Sequence, residues 1–228
     1  MSVDHELREA AAYLSRVAEA GSLALFRLVS ERGYVQAAKD VRSGRAPWEV
    51  LRATEARRVS ADPEVDLDAA ERNGITLIYP SHALWPHLAL SALHAALART
   101  MQPPRRPPAR EDPASPPTAE TDPASASDVV PPIALWVKGV LAEGNTLDDL
   151  AVRSAAIVGS RAATAYGSHV ASEFGYALAS RDVTVVSGGA FGIDAAAHRG
   201  ALAAGGKTIL VSAGGLDRPY PSAHDTLF

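Results

Sequence analysis

Apolar side chains recur at helical spacing through the first third of this chain. Between residues 1 and 72, Leu7, Ala11 and Leu14 fall on one helical face, and similar short stripes follow. Gly21 separates the first two stripes, because glycine readily ends a helix and begins a turn. The pattern therefore predicts a small domain of short helices over residues 1–72.

A strand pattern and an apolar segment follow the predicted helices. Ile75–Tyr79 is rich in β-branched and apolar residues, and Trp85–Leu97 is mostly apolar. From residue 101 to residue 132, Pro, Ala, Ser and acidic residues replace almost all large apolar side chains. Such a segment cannot bury enough surface to offset its ordering entropy. We therefore assign residues 73–100 to the start of an α/β domain and residues 101–132 to a disordered insertion.

The last part of the chain, residues 133–228, alternates between strand and helix patterns. Apolar strand patterns lie at Ala155–Val158, Val183–Val186 and Thr208–Ser212. The stretches between them have helical spacing, and this alternation is the signature of parallel βαβ units. The sequence therefore predicts an α/β fold, in which a parallel-sheet, Rossmann-like domain follows the small helical domain.

Two predicted helices connect these strands. The helix over residues 165–180 is expected to face the sheet with one apolar stripe, made of Val170, Phe174, Ala177 and Leu178. The second helix runs from Asp194 to Ala204, and we expect Asp194 to cap its first turn. Its many alanines make this helix slim, so it can pack close to the sheet.

Each of the three strand patterns ends in small residues. In an open parallel sheet, ligands bind outside the carboxyl ends of the strands. Gly159–Arg161 combines a turn glycine, a hydroxyl and a guanidinium fork suited to phosphate oxygens, and Ser187–Gly189 offers exposed backbone N–H groups. Either loop alone is equally consistent with an ordinary turn. Together they predict a site for a phosphate-bearing ligand.

Four other residues are weaker candidates for ligand contacts. Lys207 is as consistent with a solvated lysine at a strand end as with a phosphate contact. For Asp194 a capping role is favoured, and for His198 packing is favoured over a ligand contact. Tyr220 could stack on a base, although an aromatic ring tucked under its loop is the simpler interpretation.

Composition and charge narrow the possible functions. The chain has 228 residues and a formal net charge of -4, and its Rossmann-like stretch balances acidic against basic residues, so a polyanion site must be local. There are no cysteines, which excludes disulfides, thiolate metal sites and cysteine nucleophiles. No apolar run is long enough to span a bilayer, and no signal pattern opens the chain. We therefore expect a cytoplasmic protein with no membrane partner.

The sequence offers no catalytic or cofactor motif. Ser160 and Ser187 have no evident His/Asp partners, and no G-x-S-x-G elbow occurs. Gly206-Lys207-Thr208 matches the end of a phosphate-binding P-loop but precedes a strand instead of a helix. No G-x-G-x-x-G follows the first strand, and no metal-ligand spacing is present. We therefore expect no enzymatic activity and no cofactor.

Taken in order, these motifs closely resemble the DNA-processing protein A family, also called DprA or Smf. The resemblance rests on Ala156–Arg161, Tyr166–Gly167, Val185–Ala190, Gly192–Leu202, Gly205–Ile209, Gly215–Asp217 and Tyr220–Pro221. The helical N-terminus resembles, more weakly, the family's sterile-alpha-motif-like or helix-hairpin-helix-like domain.

The resemblance implies a homodimeric protein that binds and protects single-stranded DNA and loads the RecA recombinase in natural transformation and recombination. It implies no enzymatic turnover. By motif, it assigns DNA contacts to Gly159, Ser160, Arg161, Ser187, Gly188, Gly189 and, more weakly, Lys207.

Three departures from the family pattern modify these expectations. The family usually has a basic residue at the position of Phe191, so one charge is missing and Phe191 could stack on a base instead. The insertion at 101–132 is longer than the family requires. The chain stops at Phe228, whereas the family's Rossmann-like domain continues. We therefore expect an N-terminal fragment or truncated product of low stability, with an uncovered apolar sheet face.

Two other function classes fit a glycine-rich parallel sheet. One is a Rossmann-like nucleotide-binding enzyme resembling the cytokinin-activating, lysine-decarboxylase-like phosphoribohydrolases, whose P-G-G-x-G-T-x-x-E segment is not found here. The other is a nucleotide-sensing module without a DNA role. Binding that strengthens with oligonucleotide length and weakens steeply with salt separates DNA binding from both.

Overall fold

The computed structural model describes residues 3–100, 130–139 and 146–228. The insertion predicted at 101–132 lies outside these ranges, apart from residues 130–132. The chain forms two compact units, one from Met1–Pro63 and Leu90–Ala134 and the other from Glu64–Ala89 and Leu135–Phe228. The domain boundaries expected from the sequence remain predictions.

The first unit is built from helices α1 (Val3–Val17), α2 (Leu23–Arg42) and α3 (Trp48–Thr54), together with most of α5 (His87–Thr100). The short helices predicted in this region are present. Their apolar faces meet in a core whose fully buried members include Tyr13, Leu14, Val41 and Val50. Burial of these side chains supplies the main driving force for packing the helices.

Turn chemistry fixes where α2 begins and bends. The Ser22 hydroxyl accepts a hydrogen bond from the Leu25 backbone N–H at 3.3 Å, so it caps the first turn. Gly33 interrupts the helix with φ 73° and ψ 164°, a conformation that glycine adopts without a steric penalty. Gly21, which the sequence marked as a turn residue, precedes this cap with φ 83°.

The second unit contains a two-stranded sheet and two flanking helices. Helix α4 (Pro63–Arg72) leads into β1 (Ile75–Ile78), which pairs antiparallel with β2 (Leu135–Lys138). Helix α6 (Leu147–Val152) begins with a capping box, in which Thr146 and Asp149 exchange side-chain and backbone hydrogen bonds.

The same unit contains a three-stranded parallel sheet. Strands β3 (Ser154–Ala156), β4 (Thr184–Ser187) and β5 (Thr208–Leu210) lie in the order β3-β4-β5, with Ala156 opposite Val186 and Val186 opposite Ile209. Helices α7 (Ala165–Ala179) and α8 (Ile193–Ala203) connect them, and a short 3-10 turn at Ser222–His224 follows. The predicted α/β class, with a parallel sheet after a helical region, is confirmed.

Helices α7 and α8 pack against each other through small residues. A β-carbon on Gly175 would collide with the Ala197 carbonyl oxygen, and one on Gly200 would collide with the Ser172 carbonyl oxygen. The prediction that Phe174 faces the sheet is wrong, since its side chain is 61% exposed. The buried stripe of α7 consists of Ala171, Gly175 and Ala179, because only small side chains allow the two backbones to approach so closely.

The two faces of the parallel sheet are covered unequally. Val185 is fully buried and packs with alanines of both helices, so α7 and α8 share its face. Side chains alternate along a strand, which places Val158 and Val211 on the other face. They are 73% and 62% exposed. The predicted exposed apolar surface is therefore present on the described part of the sheet.

Candidate nucleic-acid interface

Two loops meet at the carboxyl ends of β3 and β4, and Asp194 joins them. One Asp194 carboxylate oxygen accepts from the Gly159 backbone N–H and the other from the Ala190 backbone N–H, each at 3.4 Å. Asp194 is buried, at 7% exposure, in the first turn of α8. The prediction that it caps α8 is wrong. The N-cap is Gly192, and Asp194 instead ties the first loop to the second.

Backbone contacts bring the two loops still closer together. The Ile193 N–H donates to the Ser160 carbonyl oxygen at 3.2 Å. Gly192 sits so close to the first loop that a β-carbon there would collide with Ser160 and lie 2.7 Å from the Arg161 carbonyl oxygen. Glycine at 192, with φ 79°, is therefore required by both conformation and space.

The two serines at this edge have different surroundings. Ser187 is buried, and its hydroxyl donates to the Ile157 carbonyl oxygen at 2.6 Å, which joins the ends of β3 and β4. Its side chain is therefore occupied by a structural hydrogen bond. Ser160 is exposed, and its hydroxyl oxygen accepts from the Ala162 N–H at 3.2 Å. Of the two hydroxyls, only that of Ser160 faces solvent.

The glycines after β4 also differ in accessibility. Gly188 is exposed, and its N–H donates to no protein acceptor within the described ranges. Gly189 has φ 74° and is buried beneath the Leu210 side chain. Its carbonyl oxygen accepts from His224 Nδ1 at 3.0 Å, which requires the proton on that nitrogen. Gly188 therefore offers the accessible amide, and Gly189 anchors the loop.

Arg161 gives the first of the two loops a cationic group. Its side chain is exposed and precedes α7, whose N-cap Thr164 accepts from the Gly167 N–H at 3.1 Å. The first turn of α7 contains no acidic residue. The positive end of the helix dipole therefore adds to the guanidinium charge. The corresponding end of α8 already holds the Asp194 carboxylate, so α7 is the better anion-binding terminus.

Lys207 lies at the other edge of the sheet. It directly precedes β5, and its carbonyl oxygen accepts from the Val185 N–H at 3.1 Å. Hydrogen bonds from the Thr146 backbone and hydroxyl, together with the positive charge of Lys207, hold the pKa of Asp149 below its ordinary value. The structure thus brings the two predicted loops together and places Lys207 at the amino ends of the strands.

His198 is part of the packing behind the site. It is 2% exposed, and its Nδ1 lies 2.6 Å from the hydroxyl of Thr208. That hydroxyl donates to the Val185 carbonyl oxygen, so Nδ1 is the donor to Thr208. Burial lowers the pKa of His198, the Asp194 carboxylate opposes this shift and His224 adds to it. The expected packing role is confirmed.

Two aromatic residues near this edge are more exposed than a packing role requires. Tyr220 was expected to be tucked under its loop, but it is 76% exposed. The Phe191 ring is 45% exposed, and its centroid lies 4.7 Å from that of His224 at an interplanar angle of 64°. Both rings therefore present apolar surface to solvent.

The described residues contain neither a metal-binding cluster nor a membrane-spanning helix. No group of three His, Cys, Asp or Glu residues among the described residues could hold a metal ion. No helix in the same ranges combines the length and the apolar character that a membrane span needs.

Comparison with known proteins identifies the family. Residues 120–228 match the family described as DNA recombination-mediator protein A. A putative DNA processing protein DprA of Mycobacterium tuberculosis is 44% identical to this chain over 216 residues, which is 95% of this chain and 48% of that protein. The chain belongs to the DNA-processing protein A family. The chain spans about half the length of this mycobacterial relative.

Other members of the DNA-processing protein A family match shorter segments. The DNA processing protein DprA of Streptococcus pneumoniae is 42% identical over 96 residues, covering 42% of this chain and 32% of that protein. The protein Smf of Escherichia coli is 44% identical over 72 residues, covering 32% of this chain and 19% of that protein. The X-ray structure of DNA processing protein A from S. pneumoniae shares the fold, with a TM-score of 0.53, 21% identity, and coverage of 98% of this chain and 61% of that one.

Sequence reasoning missed two residues that shape the site. Asp194 was interpreted as a cap, although it is the one acidic side chain between Gly188 and Arg199 and so was a conspicuous candidate for a buried anchor. The sequence around His224 does not indicate its contact with the site, because its hydrogen-bond partner Gly189 lies 35 residues earlier in the chain.

Proposed function

We propose that the carboxyl edge of the β3–β5 sheet binds the sugar–phosphate backbone of single-stranded DNA. The observation that supports this proposal is the junction of two loops at Asp194, where one loop carries the exposed Arg161 side chain and the other carries the unpaired Gly188 amide. A guanidinium, a backbone N–H and a helix terminus are all groups that bind phosphate oxygens. The contact residues we propose are Gly159, Ser160, Arg161 and Gly188, with the buried Ser187 and Gly189 supporting them.

The kind of ligand is argued from the family and from the charge of the site. The family is described as a recombination mediator, and the relatives are named for DNA processing. Arg161 is the only basic residue of the two loops, so a single phosphate would be held weakly. A polymer that also reaches neighbouring contacts would be held more strongly. A strand of DNA therefore fits this edge better than a mononucleotide does.

We further propose that the protein acts as a homodimer that delivers DNA to the RecA recombinase. The name of the family supports a mediator role, and two copies of a weak phosphate site on one strand would gain affinity through multivalency. Sedimentation of the chain with and without DNA tests the dimer. The rate of RecA filament assembly on the same DNA, with and without the chain, tests the delivery step.

Replacing Arg161 tests the DNA site directly. We expect Arg161→Ala to weaken binding of labelled single-stranded oligonucleotides about tenfold, the loss typical of one charge-assisted hydrogen bond. The loss should be similar for all base sequences, because phosphate contacts position the strand without reading it. The slope of log affinity against log salt should become shallower by about 0.7. Fluorescence anisotropy over several lengths and salt concentrations measures all three quantities.

Two matched variants control this experiment. Arg181→Ala removes an exposed arginine that donates to the Ala177 carbonyl oxygen at the far end of α7, and we expect it to bind DNA normally. Lys207→Ala removes an exposed lysine at the amino edge and should also bind normally. An equal loss in all three variants would indicate non-specific attraction to basic side chains. Binding independent of oligonucleotide length would instead favour a nucleotide-binding enzyme or sensor.

A further inference from the structure

Phe191 lies in the loop that borders the proposed phosphate site, and its position there is fixed on both sides. The preceding residue, Ala190, donates its N–H to the Asp194 carboxylate. The following residue, Gly192, packs against the carbonyl oxygen of Arg161. Because consecutive α-carbons are about 3.8 Å apart, Phe191 is one residue away from the backbone contact between Gly192 and Arg161.

The Phe191 ring contacts a buried histidine and remains partly exposed. His224 lies beside it, 5% exposed and held by its hydrogen bond to the Gly189 carbonyl oxygen. Phe228 packs edge-on against His224, with ring centroids 5.9 Å apart. Nearly half of the Phe191 surface nevertheless remains exposed. The aromatic cluster therefore supports the ring without burying it.

We infer that Phe191 is a stacking platform for a nucleobase of the strand whose phosphate contacts Arg161. This inference rests on the proposed DNA site and adds a second type of contact to it. Base-to-aromatic stacking is sequence-tolerant, because every base presents a flat π-face. A ring supported by His224 loses little conformational freedom when a base stacks on it. The ligand is thus a polymer with bases, as distinct from a simple polyanion.

The inference is tested with two ligands and one shape-conserving substitution. Phe191→Leu keeps an apolar cover over His224 but removes the π-face. We expect it to weaken binding of an oligothymidylate about fivefold or more. Binding of an abasic deoxyribose-phosphate oligomer of the same length should be unchanged, because that ligand has phosphates but no bases. Arg161→Ala should weaken binding of both ligands.

A tryptophan at this position gives a direct signal. Phe191→Trp should bind oligothymidylate at least as well as the unchanged chain, and its added fluorescence should be quenched by the oligothymidylate but not by the abasic oligomer. The native tryptophans Trp48, Trp85 and Trp136 set the background, which is measured in the unchanged chain. Equal melting midpoints of the variants establish that each is folded.

The outcomes separate the two proposals. If Phe191→Leu weakens both ligands equally, the ring acts only through the shape of its loop and the stacking inference is wrong. If Phe191→Leu weakens neither ligand while Arg161→Ala weakens both, the DNA site stands and the stacking inference fails. If Arg161→Ala weakens neither ligand, the proposed phosphate site is itself wrong, and the stacking inference falls with it.

Discussion

At the scale of single residues, Asp194 has the widest influence on the candidate site. Its carboxylate is buried and reaches a backbone N–H in each of two loops, at 3.4 Å in both cases. Both hydrogen bonds are partly shielded from water, and an amide in such a place that loses its acceptor retains part of the cost of desolvation. The same negative charge occupies the start of α8, which leaves the start of α7 and Arg161 as the anion-binding groups.

Substitution of Asp194 should therefore affect both folding and binding. We expect Asp194→Ala to lower the free energy of unfolding by about 1–3 kcal/mol, because two N–H groups lose their acceptor. DNA binding should weaken as well, because the loops that carry Arg161 and Gly188 separate. Asp194→Asn keeps one acceptor oxygen, so its stability and its DNA affinity should lie between those of the unchanged chain and those of Asp194→Ala. Urea unfolding and anisotropy measure these effects, and an Asp194→Ala chain with normal stability and binding would contradict this role.

At the scale of elements, the contact between α7 and α8 determines the geometry behind the site. Helix α7 follows the first loop and α8 follows the second. The two helices meet through glycines and alanines, so that their backbones are in close contact. Larger side chains on α7, such as Phe174, remain outside this contact and are exposed. The close approach of the helices lets Val185 be fully buried beneath them.

A methyl group at Gly200 tests this close approach. Alanine is favoured over glycine within a helix by about 1 kcal/mol. At this position, however, the added β-carbon would collide with backbone atoms of Ser172, which cannot move independently of α7. Overpacking of this kind costs about 1–3 kcal/mol, so we expect Gly200→Ala to be destabilising in net terms. The melting midpoint should fall.

Gly214→Ala is the matched control for this prediction. The nearest atom to a β-carbon at Gly214 is the Ser212 hydroxyl oxygen, at 3.8 Å. We therefore expect a change of less than about 0.5 kcal/mol in the free energy of unfolding. A Gly200→Ala chain that melts at or above the temperature of the unchanged chain would show that the helices can separate at little cost.

At the scale of the whole molecule, one face of the parallel sheet leaves apolar side chains exposed. Val158, just after β3, and Val211, just after β5, are mostly exposed on the face opposite the one that α7 and α8 cover. Contiguous exposed apolar surface promotes association between molecules. An uncovered apolar sheet face was predicted from the sequence.

We predict that this face drives self-association of the chain. Val158→Thr combined with Val211→Thr keeps the β-branched shape and adds no charge, so it should reduce association at high concentration. Val59→Thr is the control, because Val59 is 90% exposed and lies outside the sheet. Light scattering over a concentration series gives the comparison. If the control reduces association as much as the double variant does, the sheet face is not responsible.

The sequence by itself determined the α/β class, the order of strands and helices in the Rossmann-like region and the two glycine-containing loops. These features depend on local periodicity and on glycine, both of which are readable within a few residues. The sequence also determined that Lys207 lies at the amino edge of the sheet, since a residue that precedes a parallel strand lies at the opposite edge from one that follows it.

The tertiary structure alone decided which groups meet. The exposure of Phe174 depends on how closely α8 approaches, and the role of Asp194 depends on Gly159, a residue 35 positions earlier. The support of Phe191 by His224 likewise joins distant segments of the chain. Periodicity indicates which side of an element is apolar, but it does not indicate which partner covers that side. Packing between distant segments makes that choice, because it must satisfy all buried groups at once.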